Sequence, residues 1–243
     1  MAEMNTCAII VAAGSGTRMH PLGRYPKKMF INILGKALII WTIEAFEACS
    51  KIDEIVLVLD MNTEKALSFA LGQYKKIKSV VPGGHRRQDS VLQGLEAVGE
   101  NCGKVVIHDG ARPCVTPELI AGVIEEARFT GAAIAAVPVT DTIKKVGPQG
   151  FVVTTYYRES LWAVQTPQVF RFDLIMQAHK ERDKPYRQVN YTDDATLIEK
   201  RGCPVKVFKG DYENIKVTVP LDLEIAKNIL ERRITHEKNE HTV

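Results

Sequence analysis

Six short apolar runs recur along the chain, at residues 7–13, 54–60, 79–81, 104–108, 132–139 and 205–208, and amphipathic stretches separate them. Within Ala8-Ile9-Ile10-Val11-Ala12 and Ile55-Val56-Leu57-Val58-Leu59 the hydrophobicity is continuous rather than alternating. That is the pattern of a parallel strand covered on both faces. Residues 37–49, 62–74, 89–98 and 116–129 carry apolar side chains at helical spacing, and Thr116-Pro117-Glu118 adds a cap, a proline at the first helical position and an early acid. Strand followed by helix, repeatedly, predicts a parallel sheet joined by right-handed crossovers. The fold class is therefore α/β, a Rossmann-like three-layer α/β/α sandwich whose ligands sit beyond the carboxyl ends of the strands.

The alternation breaks after Val139. Residues 142–146 and 151–156 flank the turn Gly147-Pro148-Gln149-Gly150, which reads as a β-hairpin. An isolated two-stranded ribbon is barely stable in water, so this arm, at about 139–160, is expected to pack on something else, another subunit being one candidate. Helical patterns resume at 172–181, 193–201 and 221–233, and the polar residues 235–243 read as a frayed end. No repeat, low-complexity tract or Pro/Gly/Ser-rich linker divides the chain, so residues 1–243 read as one domain carrying a protruding arm.

Composition narrows the function classes. With 243 residues, 45% of them hydrophobic and 25% charged, the chain has globular proportions that argue against disorder and against dependence on disulfides. A net charge of +3 is too small for bulk nucleic-acid binding, so any cationic site must be local. The cysteines Cys7, Cys49, Cys102, Cys114 and Cys203 are scattered and odd in number, which reads as free thiols in a reducing compartment. The apolar runs fall far short of the ~20 residues of a membrane span, and the first residues lack the basic start of a signal peptide or a transit peptide. The expectation is a cytoplasmic protein without membrane or nucleic-acid partners, or a stromal one in a plastid-bearing source.

The first strand opens into Ala12-Ala13-Gly14-Ser15-Gly16-Thr17-Arg18-Met19, where backbone N–H groups can face a phosphate. A dinucleotide fingerprint fails because Met19 occupies the third glycine position, and no Walker-type motif occurs. A tight turn with no ligand is the alternative. Arg18, Arg24, Lys27 and Lys28 follow in the same connection, either converging on an anion or forming a solvated basic loop. Pro82-Gly83-Gly84-His85-Arg86-Arg87-Gln88-Asp89-Ser90 supplies a second glycine turn at the same sheet edge, where Asp89 or Ser90 can cap the next helix or Ser90 can touch a ligand. His85 reads as exposed. Asp109, in His108-Asp109-Gly110-Ala111-Arg112-Pro113, stands at a strand's carboxyl end, suited to a metal or hydroxyl groups, or else to a stiffening pair with Arg112. Residues 162–170 and 192–195 read as turns and caps, with Thr192 a candidate N-cap, and Lys216 lies in a strand-like run, Asn214-Ile215-Lys216-Val217-Thr218.

In this order, residues 12–19, Pro26-Lys27, Gly83-Gly84 with Ser90-Val91 and Gly94-Leu95, 108–113, Pro138 with Asp141-Thr142-Ile143-Lys144, Thr166-Pro167-Gln168 with Phe170-Arg171, Thr192-Asp193-Asp194-Ala195 and Asn214-Ile215-Lys216 resemble the 2-C-methyl-D-erythritol 4-phosphate cytidylyltransferase (IspD) family of the non-mevalonate isoprenoid pathway. The ribitol-5-phosphate cytidylyltransferases are close relatives whose motif around Asp109 usually reads differently. The resemblance covers nearly the whole chain. Lys28 departs from it, standing where Gln is common, and the stretch 20–26 is slightly longer than usual.

The resemblance implies a nucleotidyltransferase-type fold that moves CMP from CTP to methylerythritol phosphate and releases pyrophosphate. Mg²⁺ is the implied cofactor, carried mainly on the CTP phosphates, and a homodimer is the implied assembly. It implies catalytic roles for Arg18, Lys27 and Lys216, and CTP binding by Ala12, Ala13, Gly14, Ser15, Gly16, Gly83, Gly84, Ser90 and Asp109. The acceptor falls to Asp109, Thr142, Arg158, Thr166 and Thr192, with Thr142 and Arg158 reaching in from a partner's arm. A non-catalytic nucleotide sensor on the same fold is opposed by the retained cationic positions, and a nicotinamide-dependent oxidoreductase by Met19.

Overall fold

The computed structural model describes residues 4–14, 19, 28–60, 72–181 and 191–240. Its main strands are β1 (Asn5–Val11), β4 (Glu54–Leu59), β5 (Ile77–Pro82), β6 (Cys102–Asp109), β7 (Ala132–Pro138), β10 (Trp162–Arg171) and β11 (Lys206–Lys209). They form one sheet in the order β11-β7-β10-β6-β1-β4-β5. Two short pairs stand apart from it, β2 (Asn32–Ile33) with β3 (Lys36–Ala37), and β8 (Lys144–Val146) with β9 (Val152–Thr155). The helices are α1 (Leu38–Ala48), α2 (Arg87–Glu96), α3 (Pro117–Thr130), α4 (Phe172–Glu181), α5 (Ala195–Glu199) and α6 (Pro220–Glu240).

The continuous apolar runs have a simple cause. Alternate residues of each central strand point to opposite faces, and helices cover both. On β1, Ala8 and Ile10 join one core with α1, α3 and α6, while Cys7 and Ile9 join the other with α2, α4 and α5. On β4, Ile55, Leu57 and Leu59 face the first core, and Val56 and Val58 the second. Each such Ile, Leu or Val side chain removed from water contributes about 1.5–3 kcal/mol relative to an exposed one. Helix α3 carries its predicted start, with the Thr116 hydroxyl accepting from the Leu119 N–H at 3.2 Å and Pro117 in the first turn; its end is closed by Gly131 in the left-handed region at φ +78°.

The structure departs from the expected pattern in several places. The sheet is mixed, because β10 runs antiparallel to both β6 and β7. Residues 162–170, read as turns, are that strand. Pro167 and the polar Gln165, Thr166 and Gln168 disguise it, since a proline within a run argues against a central strand. The sheet accommodates Pro167 where the β7–β10 register breaks, between Val164 and Gln168. Lys216 lies in an extended connection rather than a strand. The helix expected at 193–201 shortens to α5, and Thr192 is not its cap: Asp194 occupies that position and Asp193 Oδ1 accepts from the Thr196 N–H. The frayed end read at 235–243 is helical as far as Glu240. The helix expected at 62–74 falls outside the described residues over 62–71. The predicted hairpin is present as β8–β9, with every one of its strand residues exposed.

Candidate active site

The carboxyl ends of β1, β5 and β6 meet on one edge of the sheet, and the register places Val11 beside Asp109. Backbone bonds continue past the strands: Ala12 N–H donates to the Val58 carbonyl (2.8 Å), Gly83 N–H to Leu59 (3.0 Å) and Gly110 N–H to Val11 (2.9 Å). At Gly83 a Cβ would lie 2.1 Å from the Ala13 Cβ, and at Gly84 one would lie 2.5 Å from the Asp89 Cβ. Only glycine lets the two turns approach this closely. Asp89 then serves α2 by accepting from the Arg86 N–H (3.1 Å), which frees Ser90 for another task. The Ser90 hydroxyl accepts from the Gly84 N–H at 3.0 Å and donates to the Arg86 carbonyl at 3.3 Å, tying the glycine turn to the helix.

Two concavities open here. The larger, about 590 Å³, is lined by Ala12, Ala13, Gly14, Lys28, residues 84–87, Ser90, Asp109 and Lys216, among others. The smaller, about 420 Å³, is lined by Arg112, residues 164–166, Gln168, Thr192, Asp193, Thr196 and Glu199. Arg87, Asp109 and Lys216 border both. Lys28 donates to the Val217 carbonyl at 3.0 Å, linking the wall of the larger cleft to the segment that carries Lys216.

The shared wall is a charge network. Asp109 Oδ1 accepts from Arg87 Nε (3.1 Å) and Oδ2 from Lys216 Nζ (2.7 Å), with Arg112 Nε 4.0 Å from Oδ2. Burial by itself would raise the Asp109 carboxyl, but Arg87, then Lys216 and Arg112, outweigh it and hold the group well below the usual carboxylate range. It is an anion at any pH near neutrality. Arg87 also donates through Nη1 to Asp194 Oδ2 at 2.7 Å. Behind Asp109, the Thr166 hydroxyl accepts from the Asp109 N–H (3.1 Å) and lies 3.1 Å from His108 Nδ1. Burial is the main cause that pushes His108 down to about 3, so the ring is neutral.

Strand β10 positions the loops on both sides of this wall. Gln168 Oε1 accepts from the Asp194 and Ala195 N–H groups (3.0 and 3.2 Å) and so shapes the turn after Thr192. Gln165 Nε2 donates to the Asp211 carbonyl (2.8 Å), and Asn214 Nδ2 donates to the Thr166 carbonyl (2.8 Å). Arg112 Nη1 holds the Asn214 carbonyl at 2.7 Å, two residues before Lys216. The buried polar side chains of β10 are thus satisfied by the segments they hold in place.

Of the residues singled out from sequence, Ala12, Ala13, Gly14, Gly84, Ser90, Asp109, Thr166, Thr192 and Lys216 come together at these pockets, with Gly83 directly behind them. Ser15, Gly16, Arg18 and Lys27 lie outside the described residues. Thr142 and Arg158 line neither pocket of their own chain; both are exposed at the base of the arm, where Arg158 Nη1 donates to the Thr140 carbonyl (3.0 Å). Sequence reasoning missed Arg87, the residue that ties Asp109 to Asp194. Its place in a glycine turn with three consecutive basic-type residues was visible, but nothing local distinguished it from Arg86, which pairs with Asp89 on the near side (2.8 Å).

Residues 6–232 match the family model described as IspD, 2-C-methyl-D-erythritol 4-phosphate cytidylyltransferase. The chain belongs to this family. An enzyme of that name from Desulforamulus reducens is 46% identical over 232 residues, covering 94% of this chain and 97% of its own. One from Pelotomaculum thermopropionicum is 43% identical over 230 residues, covering 93% and 94%. The crystal structure of 4-diphosphocytidyl-2C-methyl-D-erythritol synthase from Anaerococcus prevotii superposes with a TM-score of 0.82 at 31% identity, over 94% of this chain and 99% of the other. The fold is accordingly that of the IspD nucleotidyltransferases, and the protein is a cytidylyltransferase of the methylerythritol phosphate route to isoprenoids. Among the described residues, no helix is long and apolar enough to cross a membrane.

Proposed function

We propose that the larger cleft takes CTP, that the smaller takes 2-C-methyl-D-erythritol 4-phosphate, and that CMP passes between them at the wall they share. The observation that carries this reading is the wall itself, where Arg87, Arg112 and Lys216 surround Asp109 at the junction of two pockets. A phosphate monoester with a second pKa of ~6 is largely dianionic at neutral pH, so the acceptor needs no general base. Its oxygen attacks the α-phosphorus of CTP, a new P–O bond forms, and the bond to the β-phosphate breaks with its electron pair leaving on pyrophosphate. The difficulty is the approach of one polyanion to another, which basic side chains relieve while they stabilise charge growing in the in-line transition state.

In this reading the backbone of Ala12, Ala13, Gly14, Ser15 and Gly16 holds the triphosphate with Arg18. Lys27 and Lys216 flank the α-phosphate. The Gly83-Gly84 turn and Ser90 meet cytosine, and ionised Asp109 accepts from ribose or acceptor hydroxyl groups. Thr166 and Thr192 border the acceptor. Mg²⁺ belongs to the proposal as a companion of the triphosphate, whose charge it would further offset. Among the described residues Asp109 is the carboxylate that borders the larger cleft, and it is the side chain that would face such an ion there.

The same proposal makes the working unit a homodimer. Phe151, Val152, Val153 and Tyr157 on the arm are 57–74% exposed, and Thr142 and Arg158 at its base stand clear of their own pockets. A second copy would cover the former and place the latter at an acceptor pocket. The decisive experiment compares CTP-dependent pyrophosphate release with methylerythritol phosphate and with ribitol 5-phosphate. A strong preference for the first is expected, and a preference for ribitol phosphate would overturn the acceptor assignment.

A further inference from the structure

Arg87 has an unusual position for a residue with no assigned role. Its guanidinium uses Nε on Asp109 (3.1 Å) and Nη1 on Asp194 (2.7 Å), and among the described residues Nη2 has no hydrogen-bond acceptor. The side chain borders both pockets and retains 21% of its exposure, whereas Asp194 retains 1%. Asp194 is itself held from behind: His179 Nε2 on α4 stands 3.3 Å from its Oδ1, and Gln168 fixes its backbone N–H. Counted together, Arg87, Arg112 and Lys216 set three cations against the carboxylates of Asp109 and Asp194. At the wall itself the cations outnumber the carboxylates by one, while Asp193 and Glu199 border the smaller pocket beyond it.

With Nε held by one carboxylate and Nη1 by another, the guanidinium plane is fixed and the directions of the Nη2 donors are set. We propose that Arg87 is a catalytic residue that contacts the phosphoryl group as it passes from the larger pocket to the smaller, and that Asp194, backed by His179, is its positioning residue. The proposal rests on the cytidylyltransferase reading and deepens it. Lysine cannot replace arginine here, because an ammonium on a flexible stem cannot span Asp109 and Asp194 and still aim a donor at phosphate.

The test measures kcat, KM for each substrate and thermal unfolding for the full-length protein and for Arg87→Lys, Arg87→Gln, Asp194→Asn and the double variant Arg87→Lys with Asp194→Asn. Arg87→Lys is expected to lower kcat at least about tenfold while KM for CTP moves less than about threefold. Asp194→Asn is expected to lower kcat in the same sense, and the double variant to be no worse than Arg87→Lys alone, since Asp194 acts through Arg87. Loss of melting temperature with unchanged kcat per folded molecule, or kcat effects that simply multiply, would overturn the proposal in favour of a structural role. A native protein that releases no pyrophosphate from CTP and methylerythritol phosphate would refute the functional reading instead. The inference about Arg87 is then decided by inorganic phosphate binding in calorimetry, which Arg87→Gln is expected to weaken at least about fivefold and which, if unchanged, overturns it.

Discussion

The wall between the pockets and the β8–β9 arm are built on opposite terms. At the wall, charged side chains from α2, β6 and the segments 193–195 and 214–216 lock one another in place, and the Asp109 side chain keeps only 11% of its exposure. On the arm, apolar side chains stand in solvent, and among the described residues its β8 and β9 strands pair only with each other. The wall is complete within one chain because the same fold that buries its carboxylates also supplies their cations. The arm leaves Phe151 and Val153 exposed, and in the proposed dimer a second copy supplies their burial. Perturbations of the wall should therefore register in turnover and in the pH dependence of folding, and perturbations of the arm in association and acceptor affinity.

The largest effect expected on this contrast is at Lys216. Its side chain is 38% exposed, so Lys216→Ala should fold, yet kcat/KM should fall about a hundredfold, the usual loss for one well-aimed cationic donor. Near-normal turnover by pyrophosphate release would remove Lys216 from the reaction. On the arm, Arg158→Ala should raise KM for methylerythritol phosphate about tenfold while leaving the melting temperature unchanged, because the side chain is exposed in its own chain. A lowered melting temperature with an unaltered KM would reverse the contrast at that point.

A smaller effect comes from His108, buried and neutral with its folded pKa pushed down to about 3. The unfolded chain protonates this ring near pH 6.5 and the folded one resists, so the unfolded state binds more protons between those values. The stability is complete above about pH 6.5, and each unit of acidification below that costs up to ~1.4 kcal/mol from this group. Urea midpoints measured from pH 7 to pH 4 should fall, and His108→Asn should flatten the slope; equal slopes would assign the acid sensitivity elsewhere. The smallest effect on the fold belongs to Phe151→Lys combined with Val153→Lys. Sedimentation should show a shift from dimer to monomer with hardly any change in unfolding of the chain, and an unchanged association state would free the arm from that role.

Much of this was legible locally. The double-sided strands β1 and β4 announce themselves by unbroken apolar runs, and the start of α3 by Thr116 and Pro117, since propensity and capping act within a few residues. Asp109 could be placed at a ligand crevice from its position at a strand end alone. Strand β10 was not legible, because Gln165, Thr166 and Gln168 are buried for the sake of distant partners, and Pro167 contradicts a central strand unless the neighbouring register is known. Asp194 looked like an ordinary helix-start residue. Only its partner reveals it, and Arg87 lies 107 residues away in the chain.

The order of side chains along the polymer thus determined the layered α/β frame, the glycine turns at the strand ends and the supply of basic residues near them, because periodicity, turn chemistry and charge are local properties. The tertiary structure alone decided which cation faces which carboxylate, how β10 enters the sheet in reverse, and that two cavities meet at Arg87, Asp109 and Lys216. Those outcomes depend on contacts between segments such as 109 and 216, whose ion pair spans 107 residues, and Coulomb energies and desolvation depend on the distance through space rather than along the chain.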